Sequence, residues 1–201
     1  MSICCIVGAG DCNKFDYIKQ PDDLVIAADG GYNHLKKYGI EPDIIIGDFD
    51  SLGYVPDNTN VIKLPVVKDV TDMFAAVEIG LEKGFDEFYI YGACGGRLDH
   101  TISNIQLAVS LVQKGKKCVI YDSETEITAV HNGVIELPVK PKGYISVFSH
   151  SDKCTGVTIR GLKYNVENVT FTNSFPLGVS NEFIGEKASV SVIDGTLVII
   201  Y

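Results

Sequence analysis

The sequence predicts an α/β fold, in which a parallel-sheet domain is followed by a small antiparallel β-sandwich domain. Up to about residue 120, short apolar runs alternate with segments of helical periodicity, which is typical of a parallel sheet with helices on its faces. Beyond residue 123 the apolar runs are separated by glycine, proline, asparagine and aspartate, and helical periodicity ends. We therefore divide the 201 residues into domains 1–122 and 123–201.

Six runs in the first domain predict β-strands. They are rich in strand-forming residues and largely apolar on both faces, as buried parallel strands are. The six predicted strands are Ser2–Val7, Leu24–Ala28, Asp43–Ile46, Asn60–Leu64, Glu87–Tyr91 and Lys117–Tyr121.

Helical periodicity predicts three helices between these strands. The first covers about Gly31–Tyr38 and ends at Gly39. The second begins near Thr71 and places three apolar side chains on one face, Met73, Val77 and Leu81. The third ends near Gly115 and has the clearest pattern, with an apolar face formed by Leu98, Ile102, Ile105, Val109 and Val112.

Seven short strands are predicted in the second domain. Their number over about eighty residues, and the turn residues between them, favour an antiparallel sandwich or barrel. The predicted strands are Glu126–Val130, Val134–Leu137, Tyr144–Ser149, Gly156–Ile159, Asn168–Phe171, Ala188–Ile193 and Thr196–Ile200.

The charge of the chain argues against some partners. Twenty-six acidic and seventeen basic residues give a net charge of −9. Binding to nucleic acid or to an anionic membrane needs positive charge, so neither partner is expected. A phosphate compound remains a possible substrate if metal ions reverse the local charge.

Six cysteines are present, and none forms a Cys-x-x-Cys pair. Buried free thiols are therefore expected rather than a zinc site or a disulfide framework, which favours a reducing compartment. The N-terminus lacks the pattern of a signal peptide, and no run approaches the ~18 apolar residues of a membrane span. The protein is expected to be cytoplasmic.

Acidic side chains follow three predicted strands. Asp29 follows the second strand, Asp48 and Asp50 follow the third, and Asp72 follows the fourth at a helix start. Ligands bind at this edge of open parallel sheets, and Mg²⁺ bridges carboxylates to substrate phosphates there. Because residues i and i+2 of an extended chain point the same way, Asp48 and Asp50 are predicted to share an ion.

A glycine-rich turn follows the fifth predicted strand. Gly95 and Gly96 allow backbone N–H groups to approach a phosphate, the next helix start adds positive potential, and Arg97 supplies a planar donor fork. Neither a Walker A loop nor a Gly-x-Gly-x-x-Gly motif is present. Two simpler alternatives remain for single residues. In the first, Asp48 lies in a solvated acidic turn; in the second, Asp99 forms a pair with Arg97.

The order of these motifs resembles the thiamin pyrophosphokinase family, and the resemblance covers essentially the whole chain. It rests on Ala28-Asp29-Gly30-Gly31, Gly47-Asp48-Phe49-Asp50-Ser51, Lys68-Asp69-Val70-Thr71-Asp72, Gly95-Gly96-Arg97-Leu98-Asp99-His100, Asn104, Gly161-Leu162-Lys163-Tyr164 and Gly178-Val179-Ser180-Asn181-Glu182-Phe183.

The resemblance implies transfer of a pyrophosphoryl group from ATP to the hydroxyl of thiamine, with Mg²⁺ as cofactor. It implies a homodimer, an ATP- and metal-binding domain over 1–122, and a thiamine-binding and dimerisation domain over 123–201. Neither nucleic acid nor a membrane is among the implied partners.

The resemblance also implies roles for individual residues. The implied metal ligands are Asp48, Asp50 and Asp72. The implied catalytic residues are Asp48, Asp72, Arg97 and Asp99, either Asp99 or Asp72 being the proton acceptor. The implied nucleotide contacts are Asp29, Gly30, Lys68, Thr71, Gly96, Arg97, His100 and Asn104. The implied thiamine contacts are Tyr164, Ser180 and Asn181, where ordinary packing of Tyr164 and a plain turn at Ser180 and Asn181 are the alternatives.

Two other functions remain as alternatives. The run from Ile44 to Leu52 is loosely similar to the haloacid dehalogenase pattern of aspartate-nucleophile phosphohydrolases, although that pattern usually has Thr or Val where Leu52 stands. A covalent aspartyl phosphate would distinguish this class. The second alternative is a nucleotide- or thiamine-binding protein without catalysis, which would not need every metal ligand.

Overall fold

The computed structural model describes residues 2–50, 52–57, 60–65 and 70–201. The chain forms two compact units. The first comprises Met1–Leu107 and Gly115–Glu124, and the second comprises Ala108–Lys114 and Thr125–Tyr201.

The first unit contains a six-stranded parallel sheet and helices. Its strands are β1 (Ile3–Val7), β2 (Leu24–Ala28), β3 (Ile44–Gly47), β4 (Val61–Lys63), β5 (Glu87–Tyr91) and β6 (Lys117–Asp122). Its helices are α1 (Gly31–Lys37), α2 (Asp72–Glu82) and α3 (Leu98–Gln113), the last of which continues into the second unit from Ala108. The strands lie in the order β4-β3-β2-β1-β5-β6, and every neighbouring pair is parallel.

The connectivity of this sheet creates a switch point between β1 and β5. From β1 the chain runs outward through β2 and β3 to β4, and it then returns to β5 on the opposite side of β1. The connections that leave β1 and β5 therefore lead to strands on opposite sides of this pair, β2 and β6. Open α/β sheets bind ligands at this position, outside the carboxyl ends of the strands.

The start of α2 is where the sequence predicts it. Thr71 is the N-cap, and its hydroxyl oxygen accepts a hydrogen bond of 3.1 Å from the backbone N–H of Phe74. Met73 and Val77 of the predicted face are buried, together with Ala76 and Gly80.

The third helix is confirmed, but its buried face differs from the predicted one. Leu98 and Ile102 are 72% and 51% exposed. Val109 of the predicted face is buried, and Ile105 and Val112 are half-buried. The other buried positions of α3 are Asn104, Leu107, Ala108 and Leu111. The prediction missed Asn104 because hydrophobicity ranks an asparagine as an exposed residue, whereas here the Asn104 amide is buried and hydrogen-bonded.

The second unit contains two sets of four antiparallel strands. The strands of the first are β7 (Thr125–His131), β9 (Tyr144–Ser149), β12 (Gly178–Glu182) and β14 (Thr196–Ile200), in the order β12-β9-β14-β7. Those of the second are β8 (Val134–Leu137), β10 (Lys153–Arg160), β11 (Val166–Thr172) and β13 (Ala188–Ser191), in the order β11-β10-β13-β8. The predicted fold class, a parallel α/β domain and an antiparallel sandwich, is confirmed.

Strand β12 is an addition to the seven strands predicted from the sequence. Its sequence is Gly-Val-Ser-Asn-Glu, which has a single β-branched residue and lacks the apolar alternation on which the prediction depends. Its register with β9 is irregular between Gly178 and Asn181, and Ser180 has a φ of 58°. Such an irregular edge strand leaves little periodic signal.

Two further features of the chain are its cysteines and the length of its helices. All six cysteines are free and buried, as expected. Within the described ranges, no helix is both long and apolar enough to cross a membrane.

Candidate active site

A cavity of about 670 Å³ lies in the first unit at the ends of its parallel strands. Segments that follow β1, β2, β3 and β5 contribute to it, as do the first turns of α2 and α3. The lining residues are Gly8, Ala9, Gly10, Ala28, Asp29, Asp48, Asp50, Val70, Thr71, Asp72, Met73, Gly92, Ala93, Gly95, Gly96, Arg97, His100 and Asn104.

Three of the lining carboxylates form a cluster. One oxygen of each of Asp29, Asp48 and Asp50 lies within 4.8 Å of the others. Asp29 and Asp48 are half-buried, and Asp50 is exposed. Three carboxylate oxygens this close repel one another unless a cation lies among them, and they are the ligand type that Mg²⁺ prefers.

The two aspartates after β3 converge through a turn and not through extended chain. Strand β3 ends at Gly47, and Phe49, between the two aspartates, has a φ of 64°. The backbone N–H of Asp50 donates a 3.2 Å hydrogen bond to Oδ1 of Asp48. The predicted proximity of the two carboxylates is therefore correct, but the reason given for it, an extended i, i+2 pair, is wrong.

Asp29 reaches the cluster because β2 and β3 approach each other closely at their ends. Its φ is 48°, and its backbone N–H donates a 2.8 Å hydrogen bond to the carbonyl of Ile46. A Cβ atom on Gly47 would lie 3.1 Å from Cα of Asp29. Glycine at position 47 therefore lets the two strand ends approach closely.

Asp72 lies on the wall of the same cavity but is not a member of the three-carboxylate group. It occupies the first turn of α2, directly after the N-cap Thr71, which also lines the cavity. Lys68 lies outside the described residues. Gly30 is the N-cap residue of α1 and is absent from the described cavity lining.

Arg97 and Asp99 form a bidentate pair at the start of α3. Nε of Arg97 donates to Oδ1 of Asp99 over 3.1 Å, and Nη2 donates to Oδ2 over 2.5 Å. These hydrogen bonds lower the pKa of Asp99, and the backbone N–H of His100 contributes in the same direction. The pairing of Asp99 with Arg97, considered as a simple reading of the sequence, is confirmed. Both side chains are largely exposed, and Arg97 lines the cavity.

Asn104 and Cys94 both belong to the surroundings of the glycine-rich turn. The Asn104 amide is buried and donates a 2.7 Å hydrogen bond to the carbonyl of Ala93, so this side chain holds the turn.

Burial raises the pKa of the Cys94 thiol to about 11. This thiol is therefore protonated at neutral pH and is a poor nucleophile.

The segment from Gly8 to Gly10 also lines the cavity, and the sequence analysis did not assign it to the site. A signal was present. Gly8-Ala9-Gly10 directly follows the first predicted strand, just as glycines follow the second, third and fifth. The segment was missed because it carries no charged or nucleophilic side chain.

The predicted thiamine-side residues come together in the second unit. Tyr164 is 58% exposed, while Asn181 is 6% exposed. The Asn181 amide bonds both backbone groups of Tyr164: Oδ1 accepts from its N–H over 2.9 Å, and Nδ2 donates to its carbonyl over 2.7 Å. Asn181 therefore holds the residue that presents the aromatic ring.

The ammonium group of Lys163 lies near the ring of Tyr164. Nζ of Lys163 lies 5.4 Å from the ring centroid and 2.5 Å from Oε1 of Glu182. Ser180, in the neighbouring strand, donates its backbone N–H to the hydroxyl of Ser146 over 3.2 Å. The ring is thus exposed, with the Lys163 ammonium near one of its faces.

Two family models match the chain. Residues 15–120 match "Thiamin pyrophosphokinase, catalytic domain", and residues 133–197 match "Thiamin pyrophosphokinase, vitamin B1 binding domain". The first match spans more than half of the chain.

Individual relatives agree with these matches. A thiamine pyrophosphokinase of Bacillus subtilis (strain 168) is 32% identical over 184 residues, which cover 88% of this chain and 86% of that protein. Thiamin pyrophosphokinase 1 of Caenorhabditis elegans is 32% identical over 174 residues, 78% of this chain and 70% of that protein. A crystal structure of the Bacillus subtilis thiamine pyrophosphokinase aligns with a TM-score of 0.88 at 30% identity, over 98% of this chain and 97% of that chain. The chain belongs to the thiamin pyrophosphokinase family.

Proposed function

We propose that the protein is a thiamine pyrophosphokinase, an enzyme that transfers a pyrophosphoryl group from ATP to the hydroxyl of thiamine and releases AMP and thiamine diphosphate. The observation that carries the proposal is the convergence of three carboxylates, a glycine-rich turn and Arg97 in one cavity at the ends of the parallel strands. Membership of the family supports thiamine as the acceptor.

The carboxylate cluster fits a magnesium ion. Its three oxygen donors lie within 4.8 Å of one another, and Mg²⁺ takes oxygen ligands from carboxylates together with substrate phosphates. We propose that Asp29, Asp48 and Asp50 hold the ion and that Asp72 completes the site from the first turn of α2. When bound, the ion neutralises negative charge on the pyrophosphate.

The transfer needs little covalent chemistry from the protein. In the proposed reaction the thiamine hydroxyl oxygen bonds to the β-phosphorus of ATP, the bond from that phosphorus to the oxygen shared with the α-phosphate breaks, and AMP leaves. Positioning and charge neutralisation do most of the work in such transfers, and Arg97 supplies fixed positive charge.

Of the two carboxylates considered as proton acceptor, Asp72 suits the role better. The hydrogen bonds from Arg97 lower the pKa of Asp99, which makes Asp99 a weaker base than an unpaired aspartate. We propose that Asp72 accepts the hydroxyl proton and that Asp99 orients the Arg97 guanidinium.

We propose that the remaining nucleotide contacts come from the cavity wall. Thr71, Gly96 and His100 lie on it beside Arg97, and Lys68 remains a proposed phosphate contact on the sequence motif alone. For Gly30 and Asn104 the proposed role is indirect, through the start of α1 and the carbonyl of Ala93.

Thiamine recognition is proposed for the second unit. The exposed ring of Tyr164 offers a flat face to the cationic thiazolium or to the pyrimidine, and cation–π contacts of this kind contribute roughly 0.5–2 kcal/mol. Asn181 holds Tyr164 in place, and Ser180 lies next to it in β12.

The test is a product analysis. The purified protein is incubated with ATP, Mg²⁺ and thiamine, and nucleotides and thiamine esters are separated by chromatography. Equal amounts of AMP and thiamine diphosphate support the proposal. Inorganic phosphate with a covalent aspartyl phosphate would indicate a phosphohydrolase, and binding of both ligands without any product would indicate a non-catalytic binding protein.

We also propose that the enzyme is a cytoplasmic homodimer. The six buried free thiols support a reducing compartment, and the family resemblance supports the dimer. Light scattering and fractionation of the native host test these two statements separately.

A further inference from the structure

Two loops run side by side at the switch point of the parallel sheet. The first loop, Gly8–Asp11, follows β1, and the second loop, Tyr91–Gly96, begins at the end of β5. Three backbone hydrogen bonds join them: Gly8 N–H to Tyr91 O at 2.8 Å, Gly10 N–H to Gly92 O at 2.8 Å, and Asp11 N–H to Cys94 O at 2.7 Å. The pair therefore continues the β1–β5 ladder to the edge of the cavity.

The two loops leave no room for side chains between them. A Cβ atom on Gly8 would lie 2.6 Å from the carbonyl oxygen of Gly92, and one on Gly10 would lie 2.2 Å from that of Cys94. This part of the cavity wall is consequently built from peptide groups, as in other sites where backbone approaches phosphate closely.

A side chain from a helix holds each loop. Nε2 of His34, on α1, lies 2.8 Å from the carbonyl oxygen of Gly10. A carbonyl oxygen only accepts, so Nε2 carries the proton and donates. Asn104, on α3, donates to the carbonyl of Ala93 in the second loop over 2.7 Å.

The His34 contact is one of two hydrogen bonds that fix the peptide group between Gly10 and Asp11. Glycine adopts both signs of φ readily, so the Gly10–Asp11 peptide depends on outside contacts for its orientation. Its carbonyl is held by His34 and its N–H by Cys94 O. Both ends of this peptide are thus fixed beside the wall that Gly10 lines.

We propose that His34 is a positioning residue for the nucleotide: by holding the Gly10 carbonyl it fixes the peptide wall against which the phosphates of ATP bind. The inference rests on the proposed function, because it assumes that the cavity takes ATP. His34 is half-buried and is not itself among the described residues that line the cavity, so its action is exerted through Gly10.

The test compares three variants of His34 in the full chain. His34→Ala removes the donor, His34→Phe keeps a ring without a donor, and His34→Gln restores a side-chain N–H. We expect the first two to raise KM for ATP by about three- to tenfold, the range for one lost hydrogen bond, with KM for thiamine unchanged. We expect His34→Gln to lie within about twofold of wild type. Asn33→Ala, at an exposed position of the same helix, is the matched control and should match wild type throughout.

Calorimetric titration with a non-hydrolysable ATP analogue separates this inference from the proposed function. If the wild type makes no thiamine diphosphate, the proposed function fails, yet the titration still compares the variants. Unchanged analogue affinity in His34→Phe would overturn the inference. So would an equal loss for both substrates, with a lowered melting temperature and no rescue by glutamine, because that result describes a purely structural residue. If His34→Ala does not fold, the comparison of His34→Phe with His34→Gln decides.

Discussion

At the scale of single residues, a buried aromatic side chain sets the geometry of the carboxylate cluster. Phe49 is 3% exposed and packs in the core of the first unit. This packing of the ring stabilises the backbone turn at its positive φ. The aspartates on either side are thereby directed to the cavity. Strained backbone of this kind costs of order 1–3 kcal/mol and is retained where it serves a site.

The carboxylate cluster gives the first prediction. Asp48→Asn removes one charge at nearly constant volume, and we expect turnover to fall by ~10² to 10³-fold, the range for loss of one electrostatic stabiliser of a transition state. The melting temperature should stay within a degree or two. Asp22→Asn, at an exposed position outside the cavity, is the control. Near wild-type turnover with the same Mg²⁺ requirement in Asp48→Asn would remove this residue from the metal site.

The aromatic ring of the second unit gives the second prediction. Tyr164→Ala should weaken thiamine binding by about three- to thirtyfold, whereas Tyr164→Phe should be mild because the ring matters more than the hydroxyl. Binding of an ATP analogue should not change. Calorimetric titration of both ligands measures this. Equal losses for both ligands, together with a lower melting temperature, would show that Tyr164 acts in packing.

The third prediction concerns the residue that holds this ring. Asn181→Asp keeps the oxygen that accepts from Tyr164 N–H but replaces the donating amide nitrogen by a second acceptor facing the Tyr164 carbonyl. Two acceptors repel, so we expect weaker thiamine binding and a lower melting temperature together, unlike the effect of Tyr164→Ala. If Asn181→Asp weakens thiamine binding with no change in melting temperature, Asn181 contacts the ligand directly.

The residue types of the site could be predicted from the sequence. Carboxylates, glycines and an arginine that follow the strands of a parallel sheet indicate a site for a phosphate and a metal ion. Their contacts could not be predicted. The turn at Phe49 depends on a left-handed backbone conformation at a residue that rarely adopts one. The roles of Asn104 and Asn181 depend on backbone partners 11 and 17 residues away, which hydropathy does not reveal.

At the scale of elements, the N-terminus of α2 connects stability to the site. Thr71 caps the helix through its hydroxyl, and the next residue is Asp72. We predict that Thr71→Val, which is similar in shape, lowers the free energy of unfolding by ~1 kcal/mol, the usual cost of losing such a cap. Thr71→Ser keeps the hydroxyl and is the control. Denaturant titrations that give the two variants equal stability would contradict the capping role.

How well each helix or strand was predicted depends on how regular its sequence is. The strands of the parallel sheet were predicted within about two residues at their ends, because their apolar runs are bounded by glycine and aspartate. Strand β12 was missed, since its pairing depends on β9 and not on its own pattern. The buried face of α3 was predicted only in part, because the helix also buries an amide that holds the glycine-rich loop.

At the scale of the whole molecule, the assembly carries the last structural prediction. We expect light scattering to give twice the 21.8 kDa of one chain at micromolar concentration. The exposed apolar side chains of the second unit, among them Tyr144, Phe175 and Ile193, are consistent with a contact between copies. A single-chain mass across the concentration range of the activity assay would rule out the homodimer.

The fate of the γ-phosphate of ATP tests the central claim most directly. ATP labelled at the γ-phosphorus is supplied with Mg²⁺ and thiamine, and the products are separated. Pyrophosphoryl transfer predicts that all transferred label lies in the terminal phosphate of thiamine diphosphate, while AMP appears unlabelled in equal amount. Label in inorganic phosphate or in thiamine monophosphate, with ADP as the nucleotide product, would contradict the account.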